Sequence, residues 1–121
     1  MTEDSTILWT PSAARIEASR MQDYLRWLAR HKNLQFENYD ALWSWSVHCL
    51  EDFWASIWEY FEVRSATPYR AVLDAHIMPG AKWFDGATLN FAEQLFRFGA
   101  EDGAKPAIVS QSELRPMSEI S

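Results

Sequence analysis

The feature that most restricts how this chain can fold is a run of large apolar residues near its middle. Leu50, Phe53, Trp54, Ile57, Trp58 and Phe61 recur at alternating steps of three and one. That spacing returns a side chain to the same side of an α-helix and to both sides of a strand. Glu51, Asp52, Ser56, Glu59 and Glu62 fall between them and predict an opposite, solvated face. A helix with so much aromatic surface on one side is stable only when something packs against it. The chain must therefore supply neighbouring helices or meet a partner that does.

Upstream, Met21, Tyr24, Leu25 and Leu28 stand at i, i+3, i+4 and i+7 and predict a helix over about Pro11–Arg30. Thr10 would be its cap and Pro11 would lie in its first turn. Arg26, Arg30 and Lys32 suit the negative end of that helix. Residues 33–38 read as a polar connection, and Asp40 as the cap of a short helix through Val47 that contains Leu42, Trp43 and Trp45. Beyond the central helix, residues 63–68 form a linker and Tyr69–Ile77 a short strand or extended segment. Met78-Pro79-Gly80 reads as a turn. Lys82–Leu95 reads as an ordered loop entering a helix, with Asn90 and Glu93 as a capping pair, Phe91, Leu95 and Phe98 on one face, and Gly99 as the stop. After a polar loop over 101–105, Pro106–Ser110 and Arg115–Ser121 predict two strands joined by a turn at 111–113. The fold class is mainly α with a short C-terminal β-hairpin.

Composition bounds the function. The chain has 121 residues and is 48% apolar, with seven Trp, seven Phe and four Tyr, ample material for a packed core. Its net charge is −6, and only Arg30, His31 and Lys32 bring basic side chains close together. Nucleic acids and anionic lipid surfaces both need a basic footprint, so no nucleic-acid or membrane partner is expected. Cys49 is the single cysteine, which leaves no internal disulfide. No signal peptide or membrane span is read in the sequence, and a reduced, cytoplasmic compartment is the expectation.

No catalytic, cofactor-binding or metal-binding residue is assigned. His31, His48 and His76 are far apart and show no metal-ligand spacing. Cys49 has only His48 as a cationic neighbour and reads as an inert thiol. Glu51 and Asp52 are adjacent on a helix and so point apart. The four glycines, Gly80, Gly86, Gly99 and Gly103, are dispersed, whereas a phosphate-cradling loop needs several together.

Three segments carry a family resemblance. Leu8-Trp9-Thr10-Pro11-Ser12 opens the chain. Tyr39 to Val47, followed by Phe53-Trp54 and Ile57-Trp58, forms the middle, and Met78-Pro79-Gly80-Ala81-Lys82-Trp83-Phe84-Asp85-Gly86 continuing to Glu93 forms the third. In this order they resemble the N-terminal region of the acetoacetyl-CoA synthetases, adenylate-forming ligases akin to the acetyl-CoA synthetases. The Leu-Trp-Thr-Pro opening and the Met-Pro-Gly-Ala before Lys82 favour the acetoacetyl branch.

The resemblance implies a helical cap of an adenylate-forming α/β enzyme, truncated before the ATP-binding core. Residues 1–9 would be an exposed arm, 10–105 the N-terminal helical domain, and 106–121 the first strands of the AMP-binding domain. The full-length enzyme would use ATP, Mg2+ and CoA to convert acetoacetate to its thioester through an acyl-adenylate, with none of these held by this chain. The partner would be the ATP-binding body of the synthetase, in cis or as a split chain, with Trp83 and Phe84 as anchors on it. Without that body the chain would be inactive and prone to associate. A free-standing interaction module that docks through its aromatic face is the alternative reading, and an unrelated helical domain with an apolar ligand pocket is a third.

Overall fold

The structure, a computed structural model, describes residues 8–97, 103 and 105–121. The chain divides into two compact units, Met1–Glu62 and Val63–Ser121.

The first unit is helical. Where the sequence predicts one helix over Pro11–Arg30, the chain forms α1 (Ala13–Glu17) and α2 (Arg20–Lys32) with a break at Ala18–Ser19. Ser12, rather than Thr10, caps α1 by accepting the Arg15 amide at 3.3 Å. Ser19 then takes extended geometry and accepts the Gln22 amide at 3.1 Å, which makes it a second cap inside the expected helix. Serine competes for backbone donors in this way, and its short polar side chain starts helices better than it continues them. Asn33, in left-handed conformation at φ 54°, ends α2 behind a last turn of Arg30, His31 and Lys32.

Helix α3 (Tyr39–His48) is capped by Asn38, whose side chain accepts the Ala41 amide at 2.9 Å. Asp40, the expected cap, lies in the first turn instead, where its charge suits the helix dipole. Cys49 alone separates α3 from α4 (Leu50–Tyr60).

The core is where Tyr24 and Leu28 of α2 meet Leu42 of α3, with Phe53, Ile57 and Tyr60 of α4 packed against them. The inward stripe of α4 is therefore Phe53, Ser56, Ile57 and Tyr60, rotated from the stripe the spacing predicts. Ser56, assigned by its polarity to the solvated face, is 1% exposed, while Trp54 and Phe61 reach the surface. The cause is a buried hydroxyl: Tyr24 must find a hydrogen-bond partner inside, and Ser56 Oγ lies 2.6 Å from it. Ser56 donates in turn to the Phe53 carbonyl at 2.7 Å, which leaves Tyr24 as the donor of the shorter bond.

The second unit holds two antiparallel hairpins and a short helix. Strands β1 (Ala71–Leu73) and β2 (Trp83–Asp85) pair with Ala71 opposite Asp85 and Leu73 opposite Trp83. The segment expected to be a loop from Lys82 thus begins as a strand. Asp74 closes the connection, its carboxylate accepting the Lys82 amide at 2.8 Å. Gly86 follows β2 at φ 90°, a conformation that disfavours any side chain, and Arg70 lies across it on its way to Asp85. Asn90 caps α5 (Phe91–Phe96) through the Glu93 amide, as the sequence predicts. Phe98 and Gly99 lie outside the described residues. Strands β3 (Ile108–Ser112) and β4 (Arg115–Ile120) form the expected terminal hairpin, with its turn at Glu113–Leu114.

Candidate functional site

The titratable residues that chemistry would need are dispersed. His31, in the last turn of α2, stacks on Trp27 with ring centroids 4.9 Å apart and donates from Nδ1 to the Trp27 carbonyl at 3.0 Å. His48 ends α3 and donates from Nδ1 to the Ser44 carbonyl at 2.7 Å. His76 is exposed in the β1–β2 connection. Cys49 is half-buried between α3 and α4 and makes no side-chain cap. Among the described residues, no three of His, Cys, Asp and Glu stand together as a metal site.

Asp85 and Tyr24 depart from their usual ionisation through identifiable contacts. Asp85 is held below the usual carboxylate range, chiefly by its hydrogen bond from Arg70 at 2.7 Å and the charge behind it. The Tyr24 hydroxyl is pushed up by burial, an effect its Ser56 bond partly offsets. Both shifts have a structural partner, and neither group lines a cleft with a second reactive side chain.

The glycines and helix starts among the described residues are placed as follows. Gly80 lies in the connection between β1 and β2, and Gly86 in the turn that follows β2. The starts of α2 and α3 already bond Ser19 and Asn38, and the first turn of α4 carries Glu51 and Asp52, which repel an anion.

What the chain does present is apolar surface. On α3, Tyr39, Trp43 and Val47 recur every four residues and are exposed, Trp43 by 54%. They form a second stripe beside the inward Leu42. The same unit carries a groove of about 520 Å³ with Leu25, Phe36 and Leu42 on its apolar side and Gln22, Arg26 and Glu37 among its polar residues. Leu8 and Trp9 are exposed, and Arg15 lies over the Trp9 ring at 5.6 Å. In the second unit Phe91, Leu95 and Phe96 of α5 are exposed, as is every residue of β3 and β4. Of the two expected anchors, Trp83 is exposed, while Phe84 is half-buried and packs edge-on against Tyr69 at 5.3 Å. Exposed apolar surface of this kind is characteristic of interfaces.

Comparisons with known proteins place the chain in a family. Residues 39–95 match the family described as the acetyl-coenzyme A synthetase N-terminus. The chain is 33% identical over 106 residues to an acetoacetyl-coenzyme A synthetase of Rhizobium meliloti, covering 88% of this chain and 16% of that protein. It is 32% identical over 115 residues to an acetoacetyl-CoA synthetase of Danio rerio, covering 93% of this chain and again 16% of the relative. The solved acetoacetyl-CoA synthetase from Streptomyces lividans superposes on 96% of this chain with a TM-score of 0.87 and 38% identity, using 18% of its own length. The chain thus spans about one-sixth of the length of the curated relatives it matches, at their N-terminal end. In those relatives the corresponding region is continuous with the rest of the synthetase.

Proposed function

As this chain belongs with the N-terminal region of the acetoacetyl-CoA synthetases, we propose that it is the helical cap of a ligase that joins acetoacetate to coenzyme A. The whole enzyme would activate the acid with ATP and Mg2+ as an acyl-adenylate and pass the acyl group to the thiol of CoA. The cap's own contribution is structural. Its exposed aromatic and β-strand surfaces would be covered by the ATP-binding body, joined in the same chain or as a separate one, with Trp83 as an anchor. The cytoplasm, where ATP and CoA are available, is the compartment in which this would operate.

The observation that carries the reading is the likeness in three dimensions, a TM-score of 0.87 at 38% identity over nearly the whole chain. The relatives it matches are complete synthetases, which favours a cap over a free-standing module. A substitution experiment tests it. Residues 8–121 replace the matched N-terminal part of the Streptomyces lividans enzyme, and AMP release is followed with acetoacetate, ATP and CoA. The expected result is retained acetoacetate-dependent turnover, with none from the 121-residue chain by itself. A folded chimera without turnover, or turnover by the isolated chain, would overturn it.

A further inference from the structure

The terminal hairpin has two outer edges, and they are not equivalent. Strands β3 and β4 pair with each other and with no other described strand. A two-stranded hairpin is marginally stable in water by itself, and each outer edge presents unpaired backbone donors and acceptors. All residues of both strands are exposed, with Ile108 and Val109 at 57% each. Such a hairpin becomes stable when a third strand is added.

The β4 edge is protected against that addition. Between the pairs Ser110–Ser118 and Ser112–Arg115, β3 advances two residues and β4 advances three, so the extra residue of the irregularity lies on β4, around Pro116 and Met117. Pro116 has no N–H to offer, and a bulge twists the strand away from regular pairing. Arg115 and Glu119 add charges of both signs to the same strand. Proline, a bulge and charges are the devices by which proteins keep an edge unpaired. Strand β3, Ile108-Val109-Ser110-Gln111-Ser112, has none of them.

We infer that β3, and not β4, is the edge on which this chain takes up an extended, apolar strand of the synthetase body. The inference rests on the cap reading above and adds the edge to it. Main-chain bonds would supply the attachment, and alternate side chains would meet Ile108 and Val109 on opposite faces. The body is favoured over a second copy of this chain because in the relatives it is continuous with this region. Tethering gives it an effective concentration on the order of millimolar, which a free second copy does not match.

Residue-resolved amide exchange decides the matter in the chimera just described, with the free chain as reference. A strand paired on both sides protects every amide, whereas an edge strand protects alternate ones. The expected result is continuous protection over 108–112, with outward amides at least tenfold slower than in the free chain, and an alternating pattern over 115–120. Alternation in β3 with continuous protection in β4, or alternation in both, would overturn the inference even in an active chimera. Continuous protection of β3 in an inactive chimera would keep the edge and remove the ligase reading. Continuous protection of β3 in the free chain that disappears on dilution would assign the edge to a second copy and overturn the body as its occupant. As a second readout, Gln111→Lys should lower the chimera's melting temperature more than Ser118→Lys. The reverse order would also overturn the inference.

Discussion

At the scale of single residues, the contact between Tyr24 and Ser56 organises the helical unit. Tyr24 donates to Ser56, and Ser56 donates to the Phe53 carbonyl, so the two hydroxyls form a short chain ending on the backbone of α4. Ser56→Ala leaves the Tyr24 hydroxyl buried without an acceptor, a loss of about 1–3 kcal/mol. Tyr24→Phe removes one bond and leaves Ser56 donating, a loss of about 1 kcal/mol. The double variant should lose less than the sum, which urea unfolding of all four proteins checks. The pair also has a pH signature. Burial, the largest cause, holds the Tyr24 hydroxyl above its ordinary value. A raised value contributes stability that is fully present below about pH 10, where the unfolded tyrosine is still neutral, and is lost as pH rises through the folded value. The unfolding midpoint should fall above that pH in the parent and fall less in Tyr24→Phe. Equal alkaline profiles would remove Tyr24 from the account.

At the scale of elements, the sequence shows where helices are more clearly than where they start and which way they face. The existence of α4 follows from its spacing, but its orientation does not. With apolar residues around more than half of its circumference, either of two stripes can face inward, and the choice depends on the partner of Tyr24, thirty-two residues away. A polar residue is drawn into the core by that partner, and a single-helix pattern does not contain the information. The division of α1 from α2 was legible in principle, since Ser19 sits inside the expected helix with a glutamine three residues on. Strand β2 is three residues long and is held by pairing with β1, so no local period announces it. The exposed stripe of α3 is equally hidden, because Trp43 and Trp45 look alike in sequence and differ only in what α4 leaves for them. Caps are the test at this scale. Asn38→Ala should cost about 1 kcal/mol by removing the bond to the Ala41 amide. Asp40→Ala should cost a few tenths, the size of an exposed dipole interaction. Thermal melts followed by helical circular dichroism rank the two, and the opposite order would restore Asp40 as the cap.

At the scale of the whole molecule, the two units differ in how much of their surroundings they carry with them. Among the described residues, the buried apolar side chains, Tyr24, Leu28 and Leu42, all belong to Met1–Glu62, together with the residues packed on them. Among the described residues of Val63–Ser121 none is buried, and the order there rests on short hairpins, the Arg70–Asp85 pair and local turns. Burial of apolar surface is the dominant favourable term in folding, and exposed ion pairs contribute little beside it. The described core thus lies in the first unit, and the described order of the second rests on local pairing. Expressed separately, residues 1–62 should melt in one cooperative, helical transition. Six of the seven tryptophans lie in that span, so fluorescence and circular dichroism should give the same midpoint. Residues 63–121 should show fast amide exchange throughout and no cooperative transition. Cooperative unfolding of 63–121 alone would mean that its hairpins are self-sufficient, and β3 would then have no thermodynamic need of a third strand.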